Sequence, residues 1–208
     1  MSRSVSPPAV AAIPAPDDDL SLAFANTRYW RGTATPTDDL NGAEDLLGWA
    51  AAKERLPAPL TEHFRVLWRE RPDAAKTGFG DAIALRETLF RCFAATSAGR
   101  SPSDEDMVAL NAALATAPPR QRLRLGGWEV EMSEPSAVAL LAPTLWSAAD
   151  LLVGTQLQRV RQCRNPDCGW LFLDNSKSGN RRWCSMSACG NRAKAHRHYL
   201  RQKGQQQK

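Results

Sequence analysis

Residues 163–192 read CRNPDCGWLFLDNSKSGNRRWCSMSACGNR, and the four cysteines in this stretch decide the fold of the carboxyl-terminal part of the chain. Four residues separate Cys163 from Cys168, four separate Cys184 from Cys189, and fifteen lie between the two pairs. Two close pairs joined by such a loop are typical of a chain that wraps a tetrahedral cation, each pair forming a tight turn, or knuckle. Four thiolates complete the coordination of Zn²⁺, so the spacing predicts a closed structural zinc site.

Iron–sulfur clusters and disulfides are the alternative uses of four cysteines. The symmetry of two knuckles favours a mononuclear site over a cluster. Residues 1–16 contain only a short, proline-broken apolar stretch that does not fit a signal peptide. We therefore expect a cytoplasmic protein, in which paired cysteines more often bind metal than form disulfides. No apolar run approaches the ~20 residues of a membrane span, so no membrane partner is expected.

Charge is distributed unevenly along the chain. Residues 159–208 contain twelve Lys and Arg against two acids, a formal charge of +10, whereas the remaining 158 residues carry −5 and the whole chain +5. Phosphates attract such a basic segment, and the release of counterions favours binding. The distribution predicts a nucleic-acid partner, with a solvated basic tail as the alternative.

The segment after Cys189 has the pattern of a basic helix over residues 191–203. At about 100° per residue, its basic side chains from Lys194 onward fall on one stripe, and Ala193, His196 and Leu200 lie nearly opposite, where they would pack on the zinc loop. The stripe would enter a major groove or follow phosphates. The predicted nucleic-acid contacts are Arg181, Arg182, Arg192, Lys194, Arg197, His198 and Arg201.

The part of the chain before the cysteines has mainly helical periodicity. Apolar residues recur at helical spacing in 43–55, 60–70, 81–95 and 135–153, and Ser101-Pro102 is a start signal for a helix ending at Thr116. The predicted fold class is a mainly α amino-terminal domain with a small β-hairpin. It is followed by a treble-clef-like four-cysteine zinc finger that ends in a basic helix.

Two finer predictions concern side chains of this amino-terminal part. Alternating residues around Gly126-Gly127 predict the β-hairpin, with Arg122 or Arg124 facing Glu129 or Glu131 across it. Glu87 and Arg91 are predicted to form an exposed i,i+4 pair. The part of the chain before the cysteines has one histidine, His63, and no phosphate-binding glycine loop. No catalytic constellation is visible there, and we do not expect an enzyme.

Specific motifs resemble the CGNR zinc-finger family. They are Cys163-x-Asn165-Pro166-x-Cys168, Trp170-Leu-Phe-Leu-Asp174, Arg182-Trp-Cys-Ser-Met186 and the tetrad Cys189-Gly190-Asn191-Arg192. In that family the finger follows a domain called ABATE, described as a stress-induced transcription regulator of bacteria. The resemblance to ABATE rests on Phe24-Ala-Asn-Thr-Arg28, Asp45-Leu-Leu-x-Trp49 and Leu85-Arg-Glu-x-Leu89.

The resemblance implies zinc at the four cysteines, DNA binding by the finger and an amino-terminal domain that responds to a small-molecule or protein effector. Gly179 and Asn180 depart from the pattern, since this stretch is often more basic in such fingers. The predicted organisation is a disordered leader at 1–18, an ABATE-like helical domain at 19–155, a CGNR-type finger at 158–203 and a disordered tail at 204–208.

Three functions follow from these patterns. The first is a transcription regulator whose finger binds DNA under control of the body; a homodimer is expected, because one small finger buries little surface. The second is a zinc-stabilised module that binds RNA or an acidic protein surface, including the chain's own body. Trp170 and Trp183 would stack RNA bases if exposed, but they are expected in the core. The third is a redox switch, in which oxidation of the thiolates releases the zinc.

Overall fold

Helices dominate the computed structural model, which describes residues 9–13, 19–52, 56–120, 122–132 and 136–195. The predicted class, mainly α with small antiparallel sheets and a four-cysteine module, is confirmed. In chain order the elements are β1 (Ala9–Ile13), α1 (Leu20–Ala25), β2 (Arg28–Tyr29), β3 (Thr37–Asp38), α2 (Ala43–Ala51), α3 (Ala58–Glu70), α4 (Pro72–Ser97), α5 (Asp104–Thr116), β4 (Arg122–Arg124), β5 (Gly127–Met132), α6 (Ala137–Leu140), α7 (Ala142–Val153), a 3₁₀ turn (Thr155–Arg159), β6 (Val160–Gln162), β7 (Leu171–Leu173), a π-helical turn (Met186–Gly190) and a helix over 191–195 (α8).

The central element is α4, which contacts α1, α2, α3 and α5. Its apolar face follows the predicted spacing, and Leu89 and Phe93 are fully buried there. The helix begins nine residues before the predicted start, because Pro72 occupies the first turn, where a missing N–H costs nothing. Within the described ranges, no helix is both long enough and apolar enough to cross a membrane.

Helix starts and breaks are set by local chemistry. The amino-terminal cap of α5 is Ser103, whose hydroxyl accepts from the Asp106 N–H at 3.1 Å, and not the predicted Ser101. The segment with helical spacing over 135–153 forms two helices, with a break at Leu141 between α6 and α7, two residues before Pro143.

The β-hairpin around Gly126-Gly127 is confirmed. Arg122 lies opposite Glu129 in the register of β4 and β5, and Arg124 donates to the same carboxylate at 2.8 Å. The hairpin gains a third strand, however, since β1 pairs antiparallel with β5 along Ala9–Ile13. The prediction of a disordered leader over 1–18 is therefore wrong for this segment. Its backbone pairs with the edge of β5, and Ile13 is fully buried. Residues 1–8 and 14–18 lie outside the described ranges.

A buried arginine organises the polar contacts of α4. Arg86 is 1% exposed and donates two hydrogen bonds to Asp38, at 2.6 and 2.7 Å, and one to Glu87 at 3.0 Å. The predicted Glu87–Arg91 pair is wrong, because Glu87 faces the interior and binds Arg31 and Arg86. Arg91 instead donates to Asp106 at 2.6 Å. Partners from other segments therefore bind these two side chains in place of the predicted pair within the helix.

We expect Arg86→Met to lower the free energy of unfolding by about 3 kcal/mol, because it leaves Asp38 without its arginine, whereas Glu87 keeps its pair with Arg31. Burial alone would raise the pKa of Asp38, but the hydrogen bonds and charge of Arg86 hold it below its ordinary value. The Asp38 contribution is therefore present above pH 3.8 and is lost as the pH falls through the lowered pKa.

Guanidinium-induced unfolding at neutral pH measures this loss. The control is Arg65→Met, which removes an arginine that pairs with Glu62 on the surface and should cost less than about 1 kcal/mol. Equal losses in the two variants would contradict the role assigned to Arg86.

Candidate metal centre

The four cysteine thiols converge on one point. Their Sγ atoms all lie within 4.8 Å of one another. The Sγ of Cys184 is 3.7 Å from that of Cys168 and 3.7 Å from that of Cys189. A tetrahedron whose corners lie about 2.3 Å from a central zinc has edges of about 3.8 Å, so these separations fit a zinc centre with four thiolate ligands.

Each knuckle has its own turn chemistry. In the first, the Asn165 carbonyl accepts from the Cys168 N–H at 3.0 Å, and the Asn165 side-chain oxygen accepts from the Asp167 N–H at 3.2 Å. The Asn165 amide also donates to the Sγ of Cys189 at 3.5 Å, which connects the two knuckles. The first knuckle ends at Gly169, whose φ of +70° suits glycine. The π-helical turn, capped by Ser185, forms the second knuckle.

Burial makes the site depend on a cation. Cys163, Cys168 and Cys189 are buried, and Cys184 is partly exposed. Burial raises the pKa of the Cys168 thiol to about 12, and burial together with the charge of neighbouring Cys168 raises the pKa of Cys184. Without a metal, the Cys168 and Cys184 thiols would keep their protons at neutral pH. A zinc ion supplies the positive charge that favours four thiolates, so metal binding and proton release are coupled.

A short antiparallel hairpin, β6 and β7, flanks the first knuckle and belongs to the main hydrophobic core. Val160, Leu171 and Leu173 pack with residues of α1 and α4 in one buried cluster. Asn26, at the end of α1, donates to the Leu171 carbonyl at 2.7 Å and accepts from the Leu171 N–H at 2.9 Å. The finger therefore shares its core with the helical body, and zinc alone does not hold it.

A second attachment is the 30–32 strap, formed by Trp30, Arg31 and Gly32. The Arg31 N–H donates to the Cys168 carbonyl at 3.3 Å, and the Gly32 N–H to the Asp167 carbonyl at 3.2 Å. The Arg31 side chain binds Glu87 at 2.7 Å and lies 3.8 Å from the Phe90 ring centre, both on α4. The strap thereby ties the first knuckle to the central helix of the body.

Trp30 occupies an unusual backbone conformation in this strap. Its φ is +54°, a left-handed value that costs a non-glycine residue roughly 1–2 kcal/mol. In this position its ring packs against the cysteine cluster, and the guanidinium of Arg192 lies 4.5 Å from the ring centre. The surrounding contacts hold a strained residue where the body meets the metal site.

Asp174 fixes the loop that leads to the second knuckle. It is fully buried and accepts from the Ser176 side chain, from the Ser176 N–H at 3.0 Å and from the Arg181 N–H at 2.8 Å. The Ser176 hydrogen bond is the main cause of a pKa below the ordinary value of Asp174, so the carboxylate is charged at neutral pH. The charge positions the backbone of Arg181.

The structure describes four of the seven predicted nucleic-acid contacts, and all four are exposed: Arg181, Arg182, Arg192 and Lys194. Arg181 donates to the Trp183 and Cys184 carbonyls and lies 4.5 Å from the Phe172 ring centre. Arg192 points away from Lys194 and stacks on Trp30. The remaining predicted contacts, Arg197, His198 and Arg201, lie outside the described ranges, as does the predicted tail at 204–208.

Sequence reasoning missed several residues of this region. Arg161 and Arg164 line clefts beside the first knuckle, but their spacing gives no helical or strand signal. Trp30 is 133 positions from Cys163, and only the Phe24–Arg28 motif lies near it. Trp170 was expected in the core and is 37% exposed, its ring 6.2 Å from that of Tyr29, whereas Trp183 is partly buried.

Comparison with known families matches this geometry. The family model for the CGNR zinc finger matches residues 159–202, which contain all four clustered cysteines. The model for the ABATE family, described as "Putative stress-induced transcription regulator", matches residues 18–155, more than half of the 208-residue chain. No curated protein matches the chain. Zinc is the metal that the finger and its four thiols fit, and the chain belongs to the ABATE family with a carboxyl-terminal CGNR zinc finger.

Proposed function

We propose that the chain is a DNA-binding transcription regulator in which the zinc finger docks on DNA and the ABATE body controls it. The observation that carries this proposal is how the arginines are paired. Among the described residues of the body, the ion pairs with carboxylates include those of seven arginines: Arg31, Arg65, Arg86, Arg91, Arg120, Arg122 and Arg124.

The finger has the opposite pattern. Among the described residues, no Lys or Arg of 159–195 forms an ion pair with a carboxylate. Arg161 donates instead to the carbonyls of Gln158, Val160 and Gly179, the closest at 2.6 Å. Arg181 likewise binds carbonyls and an aromatic ring. Carbonyls hold these side chains in place without neutralising them, so their full charge is available to an external anion.

The duplex backbone is the anion that best fits such a surface. It offers closely spaced phosphates, and neutralising them releases condensed counterions. The family description of ABATE as a transcription regulator favours DNA over an acidic protein. Because the strap and the shared core attach the finger to the body, an effector bound by the body would act on the finger through these contacts.

Lys194→Ala tests the proposal with little risk to the fold. Lys194 is exposed on α8, and no hydrogen bond or ion pair of its side chain is found within the described part of the chain. We expect the zinc-loaded variant to bind a random duplex roughly tenfold more weakly at about 50 mM salt, the effect of losing one phosphate contact. Fluorescence anisotropy of a labelled duplex measures the affinity.

The control is Arg69→Ala, which removes one exposed charge from the other end of the body. Arg69 precedes the amino-terminal end of α4, whereas Ser97, at its carboxyl-terminal end, lines a cleft with Arg161 and Arg181. The two ends of this 26-residue helix are roughly 37 Å apart. Unchanged binding by Arg69→Ala alongside weaker binding by Lys194→Ala supports a DNA surface on the finger. Equal affinities in the two variants would contradict it.

A further inference from the structure

A cleft of about 420 Å³ lies between the two knuckles and α8. Three arginines from three different segments line it: Arg164 from the first knuckle, Arg182 from the loop before Cys184, and Arg192 from α8. The volume lies within the range of about 300–1,000 Å³ typical of small-molecule sites. The cleft is therefore large enough for a ligand and is shaped by the finger itself.

The charge of the cleft is strongly positive. Asp167 is the one carboxylate in its lining, and the zinc ligand Cys189 also lines it, against three guanidinium groups; among the described residues none of these arginines forms an ion pair with Asp167. Guanidinium groups bind phosphate oxygens in bidentate geometry, and several together select a group with more than one negative charge. The lining thus fits a phosphorylated ligand.

The walls of the cleft add a flat, apolar element. Trp183 and Pro166 line it together with the arginines. Trp183 is partly buried against the cysteine cluster, and Arg182 lies 5.5 Å from its ring centre. An indole ring beside fixed cations is a stacking surface for a planar ring, and the Asp167 carboxylate offers an acceptor for a ring amino group.

The cleft and Lys194 lie on different sides of α8, although Arg164 and Arg182 also line a second cleft with Arg161 and Arg181. Residues 192 and 194 are two positions apart, which places their side chains about 160° apart around the helix axis. Arg192 stacks on Trp30 and lines the cleft, so Lys194 points away from it. A duplex contact through Lys194 therefore does not require the cleft.

From these observations we infer that the cleft formed by Arg164, Arg182, Arg192 and Trp183 is a binding site for a nucleotide, distinct from the Lys194 contact to DNA. The phosphates bind the three guanidinium groups, and the base lies against Trp183. Since Arg192 touches both the cleft and Trp30 of the strap, a bound nucleotide contacts the junction of finger and body. It would thereby act as a small-molecule effector of the finger.

Calorimetric titration of the zinc-loaded full chain with ADP, at constant ionic strength, tests the inference. We expect ADP to bind more tightly than either adenosine or pyrophosphate, because only ADP has both the base and the phosphates. Arg164→Ala should weaken ADP binding at least tenfold. The Arg164 side chain is exposed, and its backbone N–H bond to the Arg182 carbonyl, 3.0 Å, remains in the variant, so the fold is kept.

Lys194→Ala is the matched control, and duplex DNA is the second ligand. Lys194→Ala should change ADP affinity less than twofold while it weakens DNA binding, and Arg164→Ala should weaken ADP binding more than DNA binding. No ADP binding, or equal losses of ADP affinity in the two variants, would overturn the inference without touching the DNA proposal. Pyrophosphate binding as tight as ADP binding would remove the role of Trp183. If Arg164→Ala weakens DNA as much as ADP, the separate site is refuted.

Discussion

Cys184→Ser is expected to abolish stoichiometric zinc binding and to lower the free energy of unfolding of the whole chain by at least about 5 kcal/mol. Structural zinc contributes roughly 10–16 kcal/mol of apparent binding free energy in isolated fingers, and that energy is folding energy. A serine hydroxyl stays protonated at neutral pH and is a poor zinc ligand. The Cys184 side chain is partly exposed, so the exchange of sulfur for oxygen itself disturbs little packing.

We expect the loss of zinc to destabilise the helical body as well, because β6 and β7 belong to the body's core. Leu171 and Leu173 follow the first knuckle directly, and Asn26 binds Leu171 from α1. When the knuckles open without zinc, β6 and β7 are no longer held in place, and their contacts with the body weaken. The measurements are zinc content by atomic emission and guanidinium-induced unfolding followed by helical circular dichroism, which reports mostly on the body.

Cys92→Ala is the matched control for Cys184→Ser. Cys92 is fully buried on α4, and burial raises its pKa to about 11, so it is a neutral thiol away from the cluster. The control should keep one zinc per chain and cost about 1–2 kcal/mol for the lost sulfur contacts. One zinc retained by Cys184→Ser would contradict the ligand role of Cys184. Loss of zinc with a helical unfolding midpoint equal to that of the wild type would contradict the shared core.

Gly32→Ala is the second change with a large expected effect. A Cβ atom on Gly32 would lie 1.9 Å from the Pro166 carbonyl oxygen and 2.8 Å from its carbon, both backbone atoms of the first knuckle. The strap and the knuckle must separate to admit it, which breaks the Gly32–Asp167 hydrogen bond. We expect the free energy of unfolding to fall by about 3 kcal/mol, which is at the upper end of the costs typical of overpacking substitutions.

Thermal unfolding of the zinc-loaded protein measures the effect of Gly32→Ala. Gly48→Ala is its control, since Gly48 lies exposed within α2 and its added Cβ meets nothing within 4 Å. That change should stabilise the protein by about 0.4–1 kcal/mol, because alanine restricts the unfolded chain and favours a helix. If Gly32→Ala is as stable as the wild type, the strap does not hold the knuckle closely.

Short-range patterns predicted much of the fold and of the metal centre. The knuckle spacing, the α4 apolar face and the Gly126-Gly127 hairpin all depend on residues close in sequence, and the structure shows each of them. The four thiols gather because each knuckle is a local turn, and one loop joins them.

What the sequence did not show depends on long-range contacts. Arg86 looks like an exposed helix residue until Asp38, 48 positions away, folds against it. Ala9–Ile13 pairs with the edge of β5, although it lies in a proline-rich segment that has no alternating pattern of its own. The strap reaches the zinc site through backbone groups, which every residue has, so no side-chain pattern marks it.

The salt dependence of duplex binding by the zinc-loaded wild-type chain tests the central claim most directly. If the unpaired cations of the finger bind DNA phosphates, the logarithm of the association constant should fall linearly with the logarithm of salt concentration, with a slope of about −4 for four to five contacts. Binding that is absent at about 50 mM salt, or that has a slope near zero, would contradict the claim that the finger is a DNA-binding module.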